Sequence, residues 1–218
     1  IFGLLNPFAL LCGVLALALF ILQGSTWLQM KTTEELYQRS RNVGQIMGLI
    51  VATLFVIGGF WIQSIDGYVI VGTIDHFADS NPTHKEVVQQ AGAWMNNFKQ
   101  YPAMWIAPVL GVLMPVLSSL ASRLGRSGFA FLCSSLTNLG VVLTVGLSMF
   151  PFIMPSSLRP NHSLTMWDAT ASELTLGLMT LVAFVMVPII LGYTSWSYYK
   201  MFGRLDKKHI EDNNVSAY

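Results

Sequence analysis

The sequence predicts an all-α membrane protein, a polytopic helical bundle of about five transmembrane helices with a short amphipathic helix in one outer loop. Three observations lead there. The 218 residues are 53% hydrophobic and only 11% charged, where a soluble domain carries roughly 25% charge. Their mean hydropathy is +0.56. The charges are gathered into short stretches, so that no Asp, Glu, Lys or Arg occurs in 1–30, 42–65, 100–122, 127–158 or 174–199.

Each of these stretches exceeds the ~20 residues a helix needs to cross hydrocarbon. Lipid offers no partner to an open backbone N–H or C=O, so apolar runs of this length form helices. The expected spans are about 4–28, 43–64, 103–122, 128–153 and 174–199, in a single membrane domain over 1–218. An outer loop at 66–99 and a cytoplasmic tail at 200–218 complete it. The first residue is Ile1, and no signal-peptide pattern follows it. Ile1-Phe2-Gly3-Leu4 reads as a chain already running into a span, hence as a fragment of a longer protein.

The loops fall into two alternating sets. Lys31, Arg39, Arg41, Arg123, Arg126, Lys200, Arg204, Lys207 and Lys208 form one, nine of the twelve basic residues, against Lys85, Lys99 and Arg159 in the other. By the positive-inside rule the chain starts outside and ends in the cytoplasm. In the outer loop, Thr83-His84-Lys85-Glu86 has the spacing of a capping box, and Val87, Ala91, Trp94 and Phe98 then share one helical face. That predicts a short helix packed on the bundle or lying at the interface, with a lid over a ligand site as the alternative.

Prolines fall inside or at the ends of spans at Pro7, Pro108, Pro115, Pro151, Pro155 and Pro188, where neighbouring helices can satisfy freed carbonyls. Gly44, Gly48 and Ala52 put small residues four apart on the second span, which lets two helix backbones approach closely.

Net charge of +1 and a pI near 8.0 give no basis for binding nucleic acid. Cys12 and Cys133 lie in apolar runs, as small buried hydrophobes, and two such cysteines make no disulfide framework. A haem would most simply be held by histidines on spans, yet His76, His84, His162 and His209 all fall in loops or the tail. Met47, Met114, Met149, Met179 and Met186 lie in spans, where without a histidine partner they read as packing residues. Coupled transporters keep ionisable groups at membrane depth; the spans have none. No metal-spaced set, catalytic dyad or phosphate loop is visible, and no catalytic, cofactor-binding or metal residue is assigned.

Two polar groups remain. Ser134, Ser135, Thr137 and Asn138, with Gln23 and Gln45, read as interhelical hydrogen bonding, with contact to a quinone-like headgroup as the alternative. The outer loop 163–172 carries Trp167 and Asp168. Trp167 reads as an interfacial anchor, and Asp168, Ser172 and Glu173 as charges and caps at the positive end of the last helix. Docking a partner or closing a site is the alternative there. Asn161-His162-Ser163 also matches a glycosylation sequon.

Several strings, in order along the whole chain, resemble subunit II of the cytochrome bd ubiquinol oxidases. They are Leu5-Asn6-Pro7-Phe8, Gln23-Gly24-Ser25-Thr26-Trp27-Leu28-Gln29-Met30-Lys31-Thr32, Ile65-Asp66-Gly67-Tyr68, Met149 to Ser157, Ser163 to Ser172, and Tyr198 to Arg204. The resemblance places this sequence in the C-terminal part of the subunit, with about three spans before it. It implies a bacterial inner-membrane complex that oxidises ubiquinol or menaquinol, reduces dioxygen to water and contributes to proton-motive force. Haem b and haem d would be carried by subunit I, this chain assembling with and stabilising that partner. Small accessory single-span subunits and a bound quinone are further partners it allows. The acidic residues tied to proton access belong to the family's first half, so no catalytic residue transfers. A transporter or channel module is the competing reading.

Overall fold

The computed structural model describes residues 6–72, 81 and 85–200. Five helices are long and apolar enough to cross a membrane: α1 (Pro7–Lys31), α2 (Glu34–Trp61), α4 (Ile106–Arg123, preceded by a 3-10 turn from Pro102), α5 (Ser127–Met149) and α6 (Glu173–Lys200). Four of them close a ring in the order α1, α2, α4, α5. Short turns force α1–α2 and α4–α5 antiparallel, and α2 runs antiparallel to α4, with Gly44 against Ser122, Gly48 against Pro115 and Phe55 against Gly111. Consequently the start of α1, end of α2, start of α4 and end of α5 share one end, and Lys31, Arg41, Arg123 and Arg126 gather near the other.

Local chemistry sets the helix ends. Asn6 caps α1 by accepting from the Ala9 amide at 2.7 Å, with Pro7 at the first helical position, where its missing N–H costs nothing. Glu34 and Glu35 occupy the first turn of α2, facing the positive end of its dipole. At the α4–α5 turn Gly125 takes φ +73, and Arg126 N–H and Gly125 N–H donate to the Ala121 and Ser122 carbonyls, a Schellman closure.

The small-residue stripe is an intramolecular contact. A Cβ on Gly48 would stand 2.6 Å from the Pro115 carbonyl oxygen and 3.0 Å from Ser119 Cβ, so α2 meets α4 backbone to backbone there. The core splits by polarity along the axis. Leu15, Ala18, Leu19, Leu22, Val51 and Val141 form the apolar part. Toward the basic end small and polar side chains are buried, among them Ser25, Thr26 and Gln29 on α1, Ser118, Ser119 and Ser122 on α4, and Ser134 and Thr137 on α5, beside Ala121, Ala130 and Cys133.

Three expectations need correction. Residues 86–91 are a strand, not the start of a helix: β2 (Glu86–Ala91) pairs antiparallel with β1 (Asp66–Val71), Asp66 opposite Ala91 and Val71 opposite Glu86. The β-branched run Val69-Ile70-Val71 and Val87-Val88 suits a ladder, and Gly92 at φ +71 stops any helix through it. Val87, Ala91, Trp94 and Phe98 therefore share no helical face. The outer-loop helix is shorter and later, a 3-10 turn Ala93–Met95 followed by α3 (Asn96–Gln100); Thr83 and His84 lie outside the described residues. Secondly, α5 stops at Met149 instead of 153, because Pro151 has no N–H to donate and biases Phe150 to extended backbone at ψ 132. Phe152–Met154 then form β3, paired with β4 (Leu164–Thr165), which takes Pro151 and Pro155 out of the helices. Pro115 and Pro188 do lie inside α4 and α6. Thirdly, Asp168 is not at the start of α6, as described below.

Gly48→Leu is expected to destabilise the fold by about 3 kcal/mol through overpacking against Pro115 and Ser119. Gly24→Ala, inside α1 and with nothing within 4 Å of the new Cβ, should cost no stability and raise it by roughly 0.5–1 kcal/mol. Thermal unfolding of the detergent-solubilised variants measures both.

Candidate functional site: an apolar chamber under a clamped cap

At the end away from the basic residues the four helices line a half-open chamber of about 380 Å³. Phe8, Cys12 and Leu15 of α1, Phe55 and Phe60 of α2, and Val141 and Val145 of α5 form its walls; Met95, Phe98 and Trp105 close it from the cap side. Phe98 is buried and packs against Trp105 with ring centroids 5.6 Å apart. The segment carrying Phe98 is anchored by Asn97, whose Nδ2 donates to the Leu147 and Phe150 carbonyls at 2.8 and 2.6 Å, groups that the end of α5 leaves without helical partners. Among the described residues no carboxylate, Lys, Arg or His lines the chamber. It can hold an apolar molecule or tail, and it offers no acid or base.

Above it the two hairpins, β1–β2 and β3–β4, form one cap. The Gly67 position has no room for a side chain, since a Cβ would come within 2.7 Å of Trp94 N; this lets Trp94 Nε1 donate to the Asp66 carbonyl at 3.1 Å. Tyr68 bridges the hairpins, its ring 5.7 Å from Trp94 and 5.9 Å from Phe152. The Val87 amide donates to Asn161 Oδ1 at 2.8 Å. The strongest tie is ionic: the Lys85 ammonium donates to Asp168 Oδ2, with side chains only 3% and 12% exposed. The same oxygen accepts from Thr165 N–H at 3.1 Å and Thr165 Oγ1 at 2.6 Å.

Asp168 is thus occupied within the cap. The N-terminal role expected for it falls to Ser172, whose carbonyl accepts from Leu176 N–H, and to Glu173 in the first turn of α6. The pairing went unread because Lys85 and Asp168 are 83 positions apart; the available signal was that both are isolated charges assigned to the same side of the membrane. Burial pushes the Asp168 carboxyl up, but the hydrogen bonds from Lys85 and Thr165 and the ammonium charge outweigh it, leaving the group below the ordinary carboxylate value.

The polar cluster on the spans does what interhelical bonding requires. Gln23 Nε2 donates to Ser135 Oγ at 2.9 Å, and its Oε1 accepts from Ser134 Oγ at 2.7 Å and Asn138 Nδ2 at 3.1 Å. Thr26 and Ser134 hydroxyls meet at 2.8 Å. Thr137 bonds its own helix at the Cys133 carbonyl, and the Gln45 carbonyl accepts from Ser119 Oγ at 2.8 Å. Trp27 packs on Phe131 of α5 and Tyr198 of α6, with Lys31 over its ring.

Among the described residues no group of three His, Cys, Asp or Glu could hold a metal ion. His162, in the one-turn segment Pro160–His162, is the described histidine, and no imidazole stands on a described helix; His76, His84 and His209 lie outside the described residues.

The sequence model of the family described as cytochrome bd terminal oxidase subunit II matches residues 1–201. The chain belongs to that family. It is 54% identical over 217 residues to the probable cytochrome oxidase subunit 2 of Haemophilus influenzae and 52% identical over 218 residues to the cytochrome bd-I ubiquinol oxidase subunit 2 of Escherichia coli K12, in both cases over 100% of this chain. A more distant relative, the cytochrome bd ubiquinol oxidase subunit 2 of Bacillus subtilis, is 25% identical over 94% of the chain. The chain spans 57%, 58% and 52% of these relatives' lengths. The cytochrome bd terminal oxidases are bacterial membrane oxidoreductase complexes containing haem, and the five apolar helices agree with that setting.

Within this subunit II chain, Asp168→Asn would leave the Lys85 charge buried beside a neutral amide, an expected loss of about 3 kcal/mol. The Asp168 carboxylate, lowered in the folded state, contributes stability that is complete above its ordinary value of about 3.9 and disappears as pH falls through the lowered one. Amide-exchange protection factors of residues 85–91, which correct for the slower intrinsic exchange at low pH, should therefore stay high at pH 5 and fall only below about pH 4, whereas in the Asp168→Asn protein they should be low at pH 5 as well.

Proposed function

We propose that this chain is part of the non-haem-ligating subunit of a respiratory oxidase that oxidises quinol and reduces dioxygen to water. In this role it assembles with and stabilises the haem-bearing subunit I and contributes to proton-motive force. The match to subunit II over residues 1–201 carries the reading. It is supported by the interior chemistry: Gln23, Thr26, Ser134 and Thr137 at helix depth bond other helices or their own backbone. In this reading haem b and haem d sit on the partner, and so does the acid–base work of quinol oxidation. A quinone held by this chain would place its tail in the chamber, whose lining is apolar.

The basic-residue count orients the chain with its cap outside and α6 running toward a cytoplasmic C-terminus. The Gly44-Gly48-Ala52 face of α2 is already taken by α4 and α1. α6 buries none of its residues within the chain, and is the surface best placed to meet subunit I or other helices.

Expressed alone, the complete subunit is expected to show no haem absorbance in a reduced-minus-oxidised spectrum and to acquire it only when co-purified with a larger subunit. Haem bands from the isolated subunit would refute the assignment. Solute flux through proteoliposomes containing that subunit alone would favour the transporter reading.

A further inference from the structure

The polar half of the core contains two hydrogen-bonding atoms with no partner among the described residues, Gln29 Oε1 and Ser122 Oγ, and both side chains have no exposed surface. They are neighbours. The position of a Cβ on Gly44 lies 2.7 Å from Gln29 Nε2, 3.1 Å from Ser25 Oγ and 3.3 Å from Ser122 Oγ, so three polar side chains from α1 and α4 converge on the bare backbone of α2. The other bonds of this cluster are assigned: Ser25 Oγ donates to the Leu22 carbonyl at 2.8 Å, and Gln29 Nε2 reaches the Ser40 carbonyl at 3.4 Å. Turning the Gln29 amide over would set its oxygen against the Ser40 carbonyl, so the orientation that leaves Oε1 open is the favourable one.

An unpaired buried acceptor and an unpaired hydroxyl together cost about 1–3 kcal/mol each, and a buried water bonded to two to four polar groups removes that cost. We propose that Gln29, Ser122 and Ser25 bind one ordered water molecule at the three-helix contact beside Gly44. The water donates to Gln29 Oε1, accepts from or donates to Ser122 Oγ, and can use the free lone pair of Ser25 Oγ. Access is short. Gln29 lies two residues before the end of α1 and Ser122 one before the end of α4, so about one helical turn separates the site from the basic face. Arg41 crosses that face, its Nε donating to the Ser122 carbonyl at 2.9 Å and an Nη to the Arg123 carbonyl at 2.5 Å. The bound water thus joins α1 to α4 where α2 lacks a side chain to do so.

The test is a map of the complete oxidase, wild type and Gln29→Met, sharp enough to show ordered water. The wild type should show a peak about 2.7–3.2 Å from both Gln29 Oε1 and Ser122 Oγ. Gln29→Met, of similar length but without the acceptor, should lose it while Ser25, Gly44 and Ser122 stay in place. Direct donation from Ser122 Oγ to Gln29 Oε1, another protein atom filling the position, or a peak that persists unchanged in Gln29→Met would overturn the proposal.

Discussion

The backbone contact of α2 with α4 at Gly48 is the constraint on which the remaining architecture rests. With the Pro115 carbonyl where a side chain would otherwise begin, the two helices are fixed in both distance and rotation. One turn toward the basic end, the same approach brings Gln29, Ser25 and Ser122 together over Gly44. Toward the cap, α2 carries Phe55 and Phe60, which help wall the chamber with Phe8 of α1. Small residues at one end and aromatic ones at the other divide the bundle into a tight polar half and a looser apolar half.

That division agrees with a subunit whose interior holds shape. Between helices in lipid there is no hydrophobic drive to associate, so packing of small residues and bonds such as Gln23 to Ser134, Ser135 and Asn138 must supply the cohesion, each bond worth about 0.6 kcal/mol on average. Hydroxyls that return to their own helix, as Thr137 does to Cys133, add packing without a charge at membrane depth. The ionic contact is kept for the cap, where Lys85 and Asp168 tie together hairpins too short to be stable alone.

The helices were legible because uncharged length is a strong signal in a chain that must satisfy its backbone in lipid, and the Gly44-Gly48-Ala52 stripe because small residues at a four-residue interval have few other uses. The cluster at Ser134 was readable as polar residues at depth, though not which residue it centred on; Gln23, 111 positions from Ser134, emerged only with α1 against α5. The cap was the part misread. A 3.6-residue stripe from Val87 to Phe98 looked helical, but the partner that makes 86–91 a strand is 66–71, and Gly92 breaks the stripe. Long-range pairing overrode the local period. The Lys85–Asp168 clamp depends on that same pairing and was hidden for the same reason.

The proposed role of this part of subunit II is to hold and shape the oxidase while the haems are ligated outside it. Replacing His76, His84, His162 and His209 together by Asn in the complete complex, and measuring haem per assembled complex with its reduced-minus-oxidised spectrum, tests it most directly. Unchanged haem content and band positions are predicted. Loss of a haem, or a shift of its band, from complexes that still assemble would contradict the account.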